Sequence, residues 1–216
     1  MTMPKMGNIL ILGDSYSTYE GHIPEGNWCY YFNESEEESH LLGGVEKTWW
    51  YPLVTAPGNR LVLNESYSGS TVSNTRYNNE YCPLTSFNGR LDRFLAAHPD
   101  DLPDTVLVFG GTNDNWAGSP LGEQKYENWS DDDLRCFFPA LCRLFCILRD
   151  KMPHAKVYAI ANTDMRDEVN RGIEDICRRM QVPCLFLHDI EKKNGHPDPA
   201  GMASICEQVA AFVTKA

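Results

Sequence analysis

Five short apolar runs punctuate the chain: NILIL (8–12), RLVLN (60–64), TVLVFG (105–110), KVYAIA (156–161) and PCLFL (183–187). None shows the strict apolar–polar alternation of a strand with one wet face. Short runs of this kind fit strands covered on both faces, as in a parallel sheet. Most of the stretches between them follow the helical period. Helices are expected within EKTWWYPLVTA (46–56), FNGRLDRFLAA (87–97), SDDDLRCFFPALCRLFCILRDKM (130–152) and RDEVNRGIEDICRRM (166–180). A last one is expected from Pro199 to the end, with Asp198 as its N-cap and Pro199 as its first residue.

The segment 130–152 shows the period best. Leu134, Phe137, Phe138, Leu141, Leu144, Phe145 and Leu148 form one stripe. Ser130 is a good N-cap, and Asp131, Asp132 and Asp133 complement the dipole of a first turn. Pro139 should kink this helix or move its start. Strands alternating with helices predict an α/β fold. The expected form is a three-layer α/β/α sandwich around a parallel sheet of about five strands, with right-handed crossovers. Three stretches are too polar and too rich in Gly and Pro for regular structure: about 20–45, 66–89 and 112–129. The last two follow strand ends, where open parallel sheets build their sites.

With 216 residues and 42% hydrophobic content, the chain has enough apolar material for one domain over 1–216, with no repeat and no linker. A net charge of −11 opposes a phosphate backbone, so a nucleic-acid partner is not expected. Part of that charge lies in NESEEESH (33–40), which reads as a solvated loop. No apolar run is long enough to span a bilayer, so membrane insertion is not expected. Residues 1–8 lead straight into a strand rather than a signal peptide, so a cytoplasmic location is expected. The eight cysteines, at 29, 82, 136, 142, 146, 177, 184 and 206, contain no CxxC pair. They read as buried thiols in a reducing compartment rather than as a disulfide or zinc framework. Cys142 and Cys146, one turn apart, should share a helix face.

The first strand runs directly into Gly13-Asp14-Ser15, a small polar turn. No G-x-S-x-G is present, so the α/β-hydrolase nucleophile elbow is absent. The second strand is followed by ESYSGSTVSN with Gly69, and the third by FGGTNDN with Asn113. The motif NGHPDPAGM places His196 just before the last helix. Each residue alone has an ordinary structural use: Ser15 as a cap, Gly69 in a turn, Asn113 and Asp114 capping a loop, His196 on the surface. Asp14 beside the serine reads as a residue that bonds local backbone.

Taken together and in this order, GDS, the glycine block, G-x-N-D and the late histidine resemble the SGNH (GDSL-type) hydrolase family, over the whole chain. The resemblance implies a flavodoxin-like SGNH hydrolase fold and a serine esterase without metal or organic cofactor. Ser15 would be the nucleophile and His196 the general base. The oxyanion hole would combine the backbone N–H of Ser15, the backbone N–H of Gly69 and the side-chain amide of Asn113. The family usually has an aspartate three residues before the histidine, to orient the imidazole. Here that position is Lys193. Asp189 and Glu191 lie upstream and Asp198 downstream, where it reads as a helix cap. The expectation is therefore a Ser15–His196 dyad in which a backbone carbonyl accepts the Nδ1 hydrogen bond.

Tyr16, Tyr19, Trp28, Tyr30, Tyr31, Trp116, Tyr126 and Trp129 are concentrated in the loops after the first and third strands. Aromatic faces stack on sugar rings, so the expected substrate is a small acyl group on a carbohydrate; loop packing is the other use of these residues. Trp49 and Trp50, within a predicted helix, read as core. No long apolar lid points to a triglyceride lipase, while a lysophospholipid or thioester substrate stays open. Two further readings remain: a catalytically inactive SGNH-fold protein that binds carbohydrate, and a flavodoxin-like phosphate or nucleotide binder using the GDSYST loop. The sequence gives no oligomeric state.

Overall fold

The computed structural model describes residues 2–216. Its sheet has five parallel strands: β1 (Gly7–Gly13), β2 (Asn59–Ser66), β3 (Thr105–Phe109), β4 (Lys156–Ala161) and β5 (Cys184–Phe186). They lie in the order β2-β1-β3-β4-β5. Each apolar run supplies one strand. The chain leaves β1 towards one edge of the sheet and returns to β1's other side at β3. That reversal makes the carboxyl ends of β1 and β3 the place where such sheets hold ligands.

The helices are α1 (Tyr51–Val54), α2 (Phe87–Ala97), α3 (Thr112–Ala117), α4 (Asp131–Leu134), α5 (Phe137–Lys151), α6 (Asp167–Met180) and α7 (Pro199–Lys215). Successive strand residues serve opposite layers, giving an α/β/α sandwich. Leu10, Leu12, Val106 and Val108 pack with Phe94, Leu141, Phe145 and Ile173 of α2, α5 and α6. Ile9, Ile11, Leu107 and Phe109 pack with Trp49, Trp50, Leu53, Met202 and Ile205 on the other side. Each such buried side chain contributes about 1.5–3 kcal/mol, so the sheet is fixed from both faces.

The structure corrects several expectations. The segment 130–152 is two helices rather than one, with the start of the long one moved close to Pro139 as expected. Ser130 and Asp133 form a capping box on α4, and α5 restarts so that Pro139 is its third residue, where its missing N–H costs no bond. Only Tyr51–Val54 of 46–56 is α-helical; Trp49 and Trp50 precede it and are fully buried. The polar stretch 112–129 opens with α3, because Thr112, Asn113 and Asp114 bury their polar groups rather than hydrate them. The acidic stretch 33–40 is solvated as expected, with its glutamates exposed; within it Glu38–His40 forms a short 3-10 turn, and Glu38 bonds Lys193 Nζ at 2.5 Å.

The eight cysteines are free thiols, and Cys142 and Cys146 are both buried on α5. Among the described residues no helix is long and apolar enough to cross a membrane.

A two-stranded hairpin, β6 (Lys192–Lys193) and β7 (His196–Pro197), stands outside the main sheet. Asn194 (φ 51°) and Gly195 (φ 77°) turn it with both residues left-handed, the geometry that favours Asn-Gly. This hairpin was not anticipated, although Asn-Gly is the strongest short sequence signal for one.

Candidate active site

Ser15 opens a 3-10 turn (Ser15–Ser17) at the carboxyl end of β1. Asp14 caps the turn by accepting from Tyr16 N–H at 3.0 Å, the local backbone role expected of it. Burial pushes the Asp14 carboxyl up to about 7, against the pull of that bond and of Arg90. A carboxyl that is easily protonated lowers the cost of its buried oxygen Oδ2, which has no partner among the described residues. The turn is clamped from below. Trp50 Nε1 and Asn64 Nδ2 donate to the Ser17 carbonyl at 2.9 and 2.8 Å, and Trp49 Nε1 donates to Ser17 Oγ at 3.2 Å. The two tryptophans are core residues, as expected, but their N–H groups also hold the turn that carries Ser15.

His196 arrives from the opposite end of the chain, at the start of β7. Its Nε2 lies 2.9 Å from Ser15 Oγ and its Nδ1 lies 3.2 Å from the Asn194 carbonyl. With Nδ1–H donated to that carbonyl, Nε2 is the acceptor for the serine proton. Among the described residues no carboxylate takes the Nδ1 position. Asp198 caps α7 through Gly201 N–H at 2.8 Å, and Asp189 pairs with His188 at 3.0 Å. Lys193, where the resemblance leads one to expect an aspartate, is the cross-strand partner of His196 and reaches out to Glu38. Burial draws the His196 imidazole down to about 4, reinforced by the nearby His40 and Lys192 and opposed by the Asn194 bond.

The hairpin that carries His196 is fastened by tyrosines of the β1 loop. Tyr16 OH donates to Gly195 O at 2.5 Å and Tyr31 OH donates to Pro197 O at 2.7 Å. Tyr30 lies flat on the imidazole, centroids 3.6 Å apart and planes 10° from parallel. Tyr16 tilts against it at 5.3 Å, and Trp116 stands edge-on at 5.9 Å.

Gly69 and Asn113 belong to neighbouring loops, joined where Asn113 bonds the residue after Gly69. Gly69 has φ 78° in the loop after β2, and a Cβ there would touch nothing, so the backbone conformation rather than crowding calls for glycine. Among the described residues, neither Ser15 N–H nor Gly69 N–H donates to another group. Asn113 donates one amide N–H to Ser70 O at 3.0 Å, and its Oδ1 accepts from Tyr77 OH at 2.9 Å. Those two bonds fix which way the amide faces and leave its second N–H unused. The loop itself is anchored by Asp114, whose carboxylate accepts from Val72 N–H, Ser73 N–H and Ser73 Oγ at 2.7–3.0 Å.

Arg90, fully buried on α2, ties these strand ends together. It donates to Glu65 O, to Gly13 O at 3.0 Å and to Ser70 Oγ at 2.8 Å. Neither Arg90 nor Tyr77 was singled out from sequence. A lone arginine on an amphipathic helix and a tyrosine in a polar loop carry no motif. The aromatic cluster divides in two. Tyr16, Tyr19 and Tyr31 are buried, whereas Trp28 and Trp116 are exposed. Trp28 has Tyr67 stacked at 5.8 Å and Arg76 over its ring at 5.3 Å. Tyr126 packs under Arg179, and Trp129 Nε1 bonds Lys125 O.

Comparison with known proteins bears on the family and the fold. A family model described as GDSL-like Lipase/Acylhydrolase matches residues 7–213. No curated protein matches the chain by sequence. Among solved structures, a protein from Bacteroides ovatus described as a GDSL-like lipase has 38% identity and a TM-score of 0.91, with 99% of this chain and 100% of that chain covered. Another so described, from Bacteroides uniformis, has 41% identity and a TM-score of 0.89, covering 98% and 97%. A family two carbohydrate esterase from Clostridium thermocellum, in complex with cellohexaose, shares the fold at 15% identity and a TM-score of 0.62, covering 100% of this chain and 65% of that one. With the family model spanning nearly its whole length, the chain belongs to the GDSL-like lipase/acylhydrolase family of ester hydrolases.

Proposed function

We propose that this ester hydrolase removes a small acyl group from a carbohydrate through an acyl-enzyme on Ser15, with His196 as general base. The observation that carries the mechanism is the 2.9 Å contact between Ser15 Oγ and an imidazole whose other nitrogen is already bonded to a carbonyl. Ser15 Oγ attacks the ester carbonyl carbon as its proton passes to His196 Nε2. The C=O electron pair moves onto oxygen, where the N–H groups of Ser15, Gly69 and Asn113 receive it. Collapse breaks the bond to the alcohol oxygen, which takes the proton from His196 and leaves. A water then gives a proton to His196 and attacks the acyl carbon; the bond from that carbon to Ser15 Oγ breaks, Ser15 Oγ takes the proton back from His196, and the acid leaves.

The carbohydrate assignment is supported by Trp116, a part-exposed indole beside the base, where a sugar ring could stack. The test is a panel of p-nitrophenyl esters from acetate to long chains, with acetylated sugars and acyl thioesters alongside. Highest kcat/KM on acetate and acetylated sugars supports the proposal. An optimum on long chains or thioesters overturns the substrate class.

The base sets the pH response. His196 must be neutral to accept a proton, and its pKa lies below the ordinary 6.5, at about 4. The acidic limb of kcat/KM should therefore fall well below pH 6.5, with activity rising through that limb and level above it. Asp189→Asn, Glu191→Gln and Asp198→Asn should each keep most activity. Neutralising a true triad acid costs about 10⁴ in kcat in the serine-protease example. A loss on that scale in any folded variant identifies a third member and ends the dyad reading.

A further inference from the structure

The dyad lacks the negative charge that ordinarily steadies an imidazolium, and the groups around His196 show what stands in its place. Tyr30 covers the imidazole face to face, 3.6 Å between centroids and 10° between planes. Its backbone is coupled to the nucleophile turn: Tyr30 N–H donates to Thr18 Oγ1 at 2.9 Å, and Thr18 Oγ1 donates to the Ser15 carbonyl at 3.0 Å. His40 tilts against the same phenol at 4.3 Å. Other neighbours of His196 are the Tyr16 ring, the Trp116 edge, and His40 and Lys192, which both disfavour a cation there. Lys192 is itself drawn away by Asp164 at 3.2 Å.

An aromatic face carries negative quadrupole density and attracts a cation above it. A neutral imidazole gains little from that face, whereas an imidazolium gains more. The interaction therefore grows as the Ser15 proton moves to Nε2, which is what accelerates a step rather than merely binding a group. We propose that Tyr30 is the positioning residue that substitutes for the missing carboxylate, holding the imidazole plane towards Ser15 and stabilising the imidazolium through its ring face. This rests on Ser15 and His196 being nucleophile and base.

The experiment compares Tyr30→Leu, Tyr30→Phe and pentafluorophenylalanine at position 30. Leucine keeps the bulk and dryness but has no aromatic face. Phenylalanine keeps the face without the hydroxyl. The fluorinated ring keeps the shape with the quadrupole reversed, and so serves if leucine disturbs the fold. The readouts are kcat, KM, the acidic limb of kcat/KM, and the rate of Ser15 labelling by a fluorophosphonate. Tyr30→Leu and the fluorinated ring should lower kcat and labelling on the order of 10-fold. KM should change less, and the acidic limb should move to lower pH because the cation is less favoured. Tyr30→Phe should restore both rates to within about threefold of wild type. The proposal is overturned if Tyr30→Leu labels at the wild-type rate, if phenylalanine is as slow as leucine, or if the fluorinated ring matches phenylalanine. Failure of the wild type to label at Ser15 would instead remove the dyad mechanism on which the proposal stands.

Discussion

Ser15→Ala is expected to abolish ester hydrolysis and fluorophosphonate labelling while the protein melts within a few degrees of wild type. The hydroxyl's neighbour is His196, and the turn that carries it is held by other groups: the Asp14 cap and the bonds of Trp49, Trp50 and Asn64 to Ser17. Removing one hydroxyl from the rim of the sheet leaves both apolar layers intact. Loss of the nucleophile should lower kcat by about 10⁴–10⁶, with the residue of rate coming from the remaining donors and substrate positioning. A folded Ser15→Ala protein that turns over like the wild type would show that the chemistry runs elsewhere.

Asn113→Ala should lower kcat by about 10²–10³, with a smaller change in KM, because its free amide N–H acts mainly on the charge that develops in the transition state. The same side chain also bonds Ser70 O and receives Tyr77 OH, so a stability measurement belongs beside the kinetics. A folded variant whose change is confined to KM would mean that Asn113 binds the ground-state ester and is no part of an oxyanion hole.

The sheet was legible because apolar runs report burial on both faces directly. The places of Ser15, Gly69, Asn113 and His196 in the fold were legible because each follows a recognisable strand end or precedes a recognisable helix. The length of α1, the separate helix α4 ahead of the start that Pro139 announced, and the existence of α3 were not. Each depends on where a tertiary partner takes up a polar group or on how a proline is seated, and the apolar pattern is silent on both. Tyr30 was visible as an aromatic residue but not as the cover of the imidazole. That contact joins residues 166 positions apart, through a hairpin whose Asn-Gly turn was overlooked.

The two halves of the site are mounted differently. The Ser15 turn, the Gly69 loop and Asn113 are bound to strand ends by a fully buried guanidinium, by Asp114 and by two core indole N–H groups. His196 rides on a two-residue hairpin outside the main sheet, secured by two tyrosine hydroxyls, one stacked ring and an exposed ion pair. Changes in the first half disturb the core and carry a folding cost; in the second that cost is confined to the buried Tyr16 and Tyr31, and the exposed Lys193–Glu38 pair carries little of it. The solvent edge of that hairpin is thus the part of the site that can change at little folding cost, and Lys193, at the position where the resemblance expects an aspartate, lies on it.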